Sequence, residues 1–165
     1  MSFAKARAYL DKAYEAHGQL VFMQETCGRV EVIGERPEMR RRVPVISGPM
    51  GVGKTSCVRE FAAERGLKFV AIDCSFTPAS HFAALINNAC VEISQGATGG
   101  CVILIENFSE ADDEWKKILE QYARGRLDTN IMVADESRPG RMRPLDLRQE
   151  WIPEEIFIVG EETTR

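Results

Sequence analysis

Residues 48–55, Gly-Pro-Met-Gly-Val-Gly-Lys-Thr, constrain this chain more than any other segment. They fit G-x-x-x-x-G-K-[ST], the pattern of a phosphate-binding loop, or P-loop. Each residue type has a reason to be where it is. Gly48, Gly51 and Gly53 let the backbone pass close to a polyphosphate and aim its N–H groups inward, with Pro49, Met50 and Val52 completing the loop. Lys54 brings a point charge to the β- and γ-phosphates, and the Thr55 hydroxyl suits Mg²⁺. A helix starting here, with Ser56 in its first turn, adds the positive end of its dipole.

The flanks supply the context that such a loop requires. Residues 43–47 are a short apolar run rich in β-branched residues, which predicts a buried strand. Residues 53–65 are good helix sequence, stopped by Gly66.

Bulk properties exclude several classes. A chain of 165 residues, 44% apolar and 28% charged, is sized and balanced for one soluble domain with a proper core. Its net charge of −4 gives no general attraction to nucleic acid, which stays possible but is not indicated. The local run Arg40-Arg41-Arg42 reads as a solvated lead-in to the first buried strand. Five cysteines without a C-x-x-C pair argue against a zinc site. Cys57, Cys90 and Cys101 lie in apolar patterns and read as reduced core residues, which favours the cytoplasm. No apolar run is long enough to span a membrane and no signal-peptide core is visible. His17 and His81 are isolated and read as surface or helix-face residues.

Residues 1–39 read as an N-terminal helix with a possible hairpin, and 40–165 as the core, all within one compact domain. A helix is expected over 3–17, ended by Gly18, then short strands at 20–23 and 29–33. Further strands are expected at 68–74, 101–105 and 155–159, with 101–105 apolar enough to be central. Helices are expected at 80–94, capped by Ser80, and at 112–124. Ser109 with Asp112 resembles a capping box, and Gly125 ends the second helix. Trp115 and Phe82 fall at helical spacing and read as core. Residues 126–153 read as a hairpin or loop turning at Arg138-Pro-Gly-Arg141. Strands alternating with helices predict an α/β fold, a three-layer αβα sandwich around a mostly parallel sheet.

Glu106 follows five apolar residues, a costly place for a charge without a function. It is the candidate acid that holds Mg²⁺ through water, together with Thr55. From the loop, this acid-tipped strand and the helix and hairpin after it, the chain resembles the nucleotide-binding core of AAA+ ATPases, in particular the MoxR-like and dynein-related group. In that family the acidic strand ends in Asp-Glu, the second residue activating water. Glu106-Asn107 stands here, and an amide cannot take a proton from water. The resemblance therefore implies ATP (or ADP) and Mg²⁺ binding more than fast hydrolysis, with Lys54, Glu106 and Asn107 as the candidate catalytic set.

The same resemblance places a polar sensor near the γ-phosphate at the end of the last strand, where Glu162 stands beside Thr163. A rival alignment makes 130–134 the sensor strand and 138–141 an arginine-finger segment. Arg138, Arg141 and Arg143 are the available finger candidates. The family core is expected to continue into a further strand and a helical lid, and the sequence reads as lacking that lid. Self-association in a ring, or with other AAA+ subunits, is implied; the protein partner is unknown. Two other classes stay open: a nucleotide-binding switch that does not hydrolyse, and a small-molecule kinase with Asp73 as base and 138–143 as lid. The plainer reading of Asp73 is a strand-end cap of its loop.

Overall fold

The computed structural model describes residues 3–26, 40–125, 132–135, 137–144 and 152–164. Its main sheet has four parallel strands: β1 (Val45–Gly48), β2 (Lys68–Asp73), β3 (Cys101–Glu106) and, from the end of the chain, β6 (Ile156–Thr163). Their order across the sheet is β1-β6-β3-β2. The last strand therefore inserts between the loop-bearing strand and the acid-tipped one. Ile105 pairs with Gly160 on one side of β6, and Val45 pairs with the same Gly160 on the other. All four strands run the same way, so their C-terminal ends share one edge, the edge where α/β sheets bind ligands.

Helices α1 (Phe3–Thr26) and α2 (Lys54–Glu64) cover one face; α3 (Ala79–Ser94) and α4 (Asp113–Arg124) cover the other. Strand alternation divides the side chains between them. Val102, Leu104, Phe157 and Val159 pack with Leu10 and Phe61 on the first face. Cys101, Ile103, Ile105, Ile156 and Ile158 pack with Phe82, Ile86 and Trp115 on the second. This is the α/β three-layer arrangement expected, with β3 an inner strand and fully buried to Ile105. Phe82 and Trp115 stack at 4.6 Å within the second core, as their spacing predicted.

Several boundaries differ from the sequence reading. Helix α1 continues through Gly18 to Thr26, so residues 20–23 are helical, not a strand; 29–33 lie outside the described residues. An internal glycine costs only about 1 kcal/mol, and α1 is held by burial of Ala6, Leu10 and His17. Helix α3 is preceded by Pro78 at its N-cap, without a side-chain cap, so Ser80 caps nothing. Asp112, rather than Ser109, caps α4 by accepting from the Trp115 N–H at 2.9 Å. Gly125 ends α4 in the left-handed region at φ 84°, as expected. Residues 132–134 (β4) and 142–144 (β5) form an antiparallel hairpin apart from the main sheet. The last strand runs four residues past its expected end, to Thr163.

Two residues read as solvated are buried. His17 is 3% exposed and its Nε2–H donates to the Glu154 carbonyl at 2.9 Å. Arg41 is also buried, donating its side chain to the Ile152 carbonyl at 2.5 Å and its backbone N–H to Ala123 at 2.8 Å. The basic run is thus in part an internal staple joining β1, α4 and the start of β6. Burial and the neighbouring Arg41 charge push His17 down to about 4. The unfolded chain, with histidine near 6.5, binds the proton more readily, so stability is fully present above about pH 6.5 and falls as pH drops toward 4. The expected loss is about 2 kcal/mol by roughly pH 5. Urea unfolding across this window should show it, and His17→Gln should flatten that part of the profile.

Candidate nucleotide site

Strand β1 ends at Gly48 and α2 starts at Lys54, leaving a tight loop between them. Gly51 (φ 83°) and Gly53 (φ 90°) occupy the left-handed region that only glycine enters cheaply. Gly53 is the N-cap of α2 and no side chain caps the helix. The first-turn N–H groups therefore lack a side-chain partner at this end, the arrangement that receives an anion.

A cleft of about 490 Å³ opens above this loop. Met50, Gly51, Gly53, Lys54, Thr55 and Ser56 line it from the loop, Glu106 and Asn107 from the end of β3, and Glu161 and Thr163 from β6. Most of the expected residues thus meet in one place. Gly48 and Pro49 contribute carbonyls that accept from the Lys54 ammonium. Val52 is half-exposed and outside the lining.

The structure does not bring the residue expected as sensor into the cleft lining. Glu162 does not line the cleft, because side chains alternate along β6 and its two neighbours take the cleft side. Glu161 is 7% exposed and its Oε1 lies 3.0 Å from Lys54 Nζ. Thr163 donates to the same oxygen at 3.1 Å, and the Asn107 backbone N–H approaches Oε2 at 3.4 Å. Glu161 was missed because the strand seemed to stop at Val159. The period-2 pattern, carried on to Thr163, would have found it.

Asn107 takes the left-handed conformation at φ 55°, the described non-glycine residue to do so. Its side-chain amide donates to Asp73 Oδ2 at 2.8 Å. Burial pushes the Asp73 carboxyl up, but donation from Asn107 and Ser75 outweighs this and leaves it below the ordinary range. Asp73 also accepts from the Ser75 N–H at 2.8 Å, the strand-end cap expected of it. It lies outside the cleft lining. Arg138 and Arg141 sit exposed in the hairpin turn, also outside that lining. β6 lies between β1 and β3, and residues 132–134, the described part of the rival sensor strand, pair with β5 instead.

The described cysteines 57, 74, 90 and 101 are free and buried. Burial pushes Cys74, Cys90 and Cys101 up to about 11, which keeps these thiols un-ionised and poor nucleophiles. Among the described residues no helix is long and apolar enough to cross a membrane.

A parallel α/β core with a glycine loop, an uncapped helix start and an acid on a neighbouring strand defines a P-loop nucleotide-binding protein. The family model of the ATPase family associated with various cellular activities (AAA) matches residues 44–134, more than half of the chain. The chain belongs to this family. No curated protein matches it.

Proposed function

We propose that the cleft binds ATP or ADP with Mg²⁺, and that the core is an AAA+ ATPase subunit turning over slowly to remodel or assemble a partner. The observation that carries this reading is the convergence of Lys54, Thr55 and Glu106 on one cleft at the C-terminal edge of a parallel sheet. In this reading the loop N–H groups and Lys54 hold the phosphates. The donor set fits a magnesium ion that arrives with a nucleotide: a hydroxyl and a carboxylate are hard oxygen ligands. Among the described residues no cluster of three or more metal-ligating side chains exists, in keeping with phosphates supplying the rest. Thr55 would hold the ion directly and Glu106 through water; bound there, it neutralises phosphate charge.

Slow turnover follows from Asn107. Its amide cannot accept a proton and is committed to Asp73. The same observation favours a second reading, a nucleotide switch without hydrolysis, in which differential affinity does the work. The kinase reading finds less support, since Asp73 lies outside the cleft with its carboxyl held low. The hairpin between α4 and β6 supports a place in the MoxR-like and dynein-related group. Self-association follows the habit of the family, and the buried free thiols suit the cytoplasm.

Steady-state ATP turnover of the parent and of Asn107→Glu separates the two readings. Asp73→Asn is combined with it so that the new carboxylate does not face another. A positioned general base should raise turnover by about 10²-fold. Absence of turnover in both proteins, with nucleotide bound, would favour the switch.

A further inference from the structure

We propose that Glu161 is a specificity-determining residue that turns the site toward nucleoside diphosphate, its carboxylate contesting Lys54 with the terminal phosphate of a triphosphate. This rests on the nucleotide reading of the cleft and deepens it. The ammonium of Lys54 has three donors, and three acceptors surround it: the carbonyls of Gly48 and Pro49, and Glu161 Oε1 at 3.0 Å. Glu161 is the charged member of that set. Both side chains of the pair are 9% exposed, so solvent and salt screen it weakly.

The carboxylate is also fixed in place. Its backbone pairs with Ile46 of β1, one residue past the point where β6 also pairs with Ile105 of β3 through Gly160. Thr163 and the Asn107 N–H hold its two oxygens. It cannot leave without breaking those contacts. A phosphate that takes Lys54 must therefore displace a buried carboxylate or lie beside it, and like charges at such separations repel. A diphosphate, whose terminal β-phosphate is held chiefly by the loop N–H groups, meets that conflict only in part. A triphosphate brings one more anionic group to the lysine and meets it in full.

The test is equilibrium titration of ADP and ATP, each with Mg²⁺, into the parent and Glu161→Gln, with thermal melts confirming the fold. The amide keeps an oxygen for Thr163 and removes the charge. The parent should bind ADP at least about tenfold more tightly than ATP, a difference of about 1.4 kcal/mol. Glu161→Gln should tighten ATP by about tenfold while moving ADP less than about threefold. A folded Glu161→Gln with an unchanged ATP/ADP ratio, or with both nucleotides weakened alike, overturns the proposal. Equal affinities in the parent overturn it without any variant. No saturable binding of either nucleotide to either protein overturns the nucleotide reading as well, which separates the two failures.

Discussion

Replacing Lys54 by alanine is expected to lower nucleotide affinity at least about 100-fold, since charged hydrogen bonds to phosphate contribute roughly 1.5–3 kcal/mol each. The same change should also destabilise the fold, which sets this chain apart from one whose P-loop lysine faces only solvent. Lys54 is the partner of a carboxylate whose side chain is 9% exposed, and without it Glu161 is left buried and without its counter-charge. Stranding one member of such a pair costs about 2–3 kcal/mol at this partly open position. Lys54→Ala combined with Glu161→Gln should recover most of the stability and little of the ADP affinity. Calorimetric titration alongside urea unfolding reads the two effects separately. Lys54→Ala protein that binds as the parent does would mean that the lysine has no part in the site.

Gly160→Val is the second large effect. Gly160 sits in β6 between both neighbouring strands, and a Cβ there would lie 2.8 Å from Phe108 Cγ and 2.9 Å from Cδ2. Phe108 opens the 3-10 turn directly after Asn107. A side chain at 160 must push that ring, and with it the turn that positions Asn107 over Asp73. Overpacking of this kind costs about 2–3 kcal/mol. Because the clash has one named partner, Phe108→Ala should relieve part of it, and the double variant should be more stable than the sum of the two changes predicts. Chemical denaturation of the four proteins of this cycle checks it. A loss below about 0.5 kcal/mol for Gly160→Val would mean that the strand and the turn separate easily.

These outcomes depend on features of unequal visibility in the sequence. Gly51, Gly53 and Lys54 declare the site because their chemistry is local: a left-handed backbone and a point charge need particular residues at particular spacings. Glu106 was visible as a charge closing an apolar run, and Asp73 as a strand-end cap. Contacts between distant segments were not visible. His17 and Glu154 meet across the domain, as do Arg41 and Ile152, and no short-range pattern marks either pair. The shift from Glu162 to Glu161 has a simpler cause: the sequence reading ends the strand at Val159, and only its continuation to Thr163 puts Glu161 and Thr163 on the cleft side. The continuation of α1 past Gly18 shows packing outweighing a propensity of about 1 kcal/mol.

The most direct test of the central claim is amide hydrogen exchange of the parent protein with and without ADP and Mg²⁺. The account predicts slowed exchange in the loop at 50–56, at the Glu106-Asn107 corner and at the tip of β6, with the hairpin at 132–144 little changed. Unaltered exchange at the loop under saturating nucleotide, or protection centred elsewhere, would contradict it.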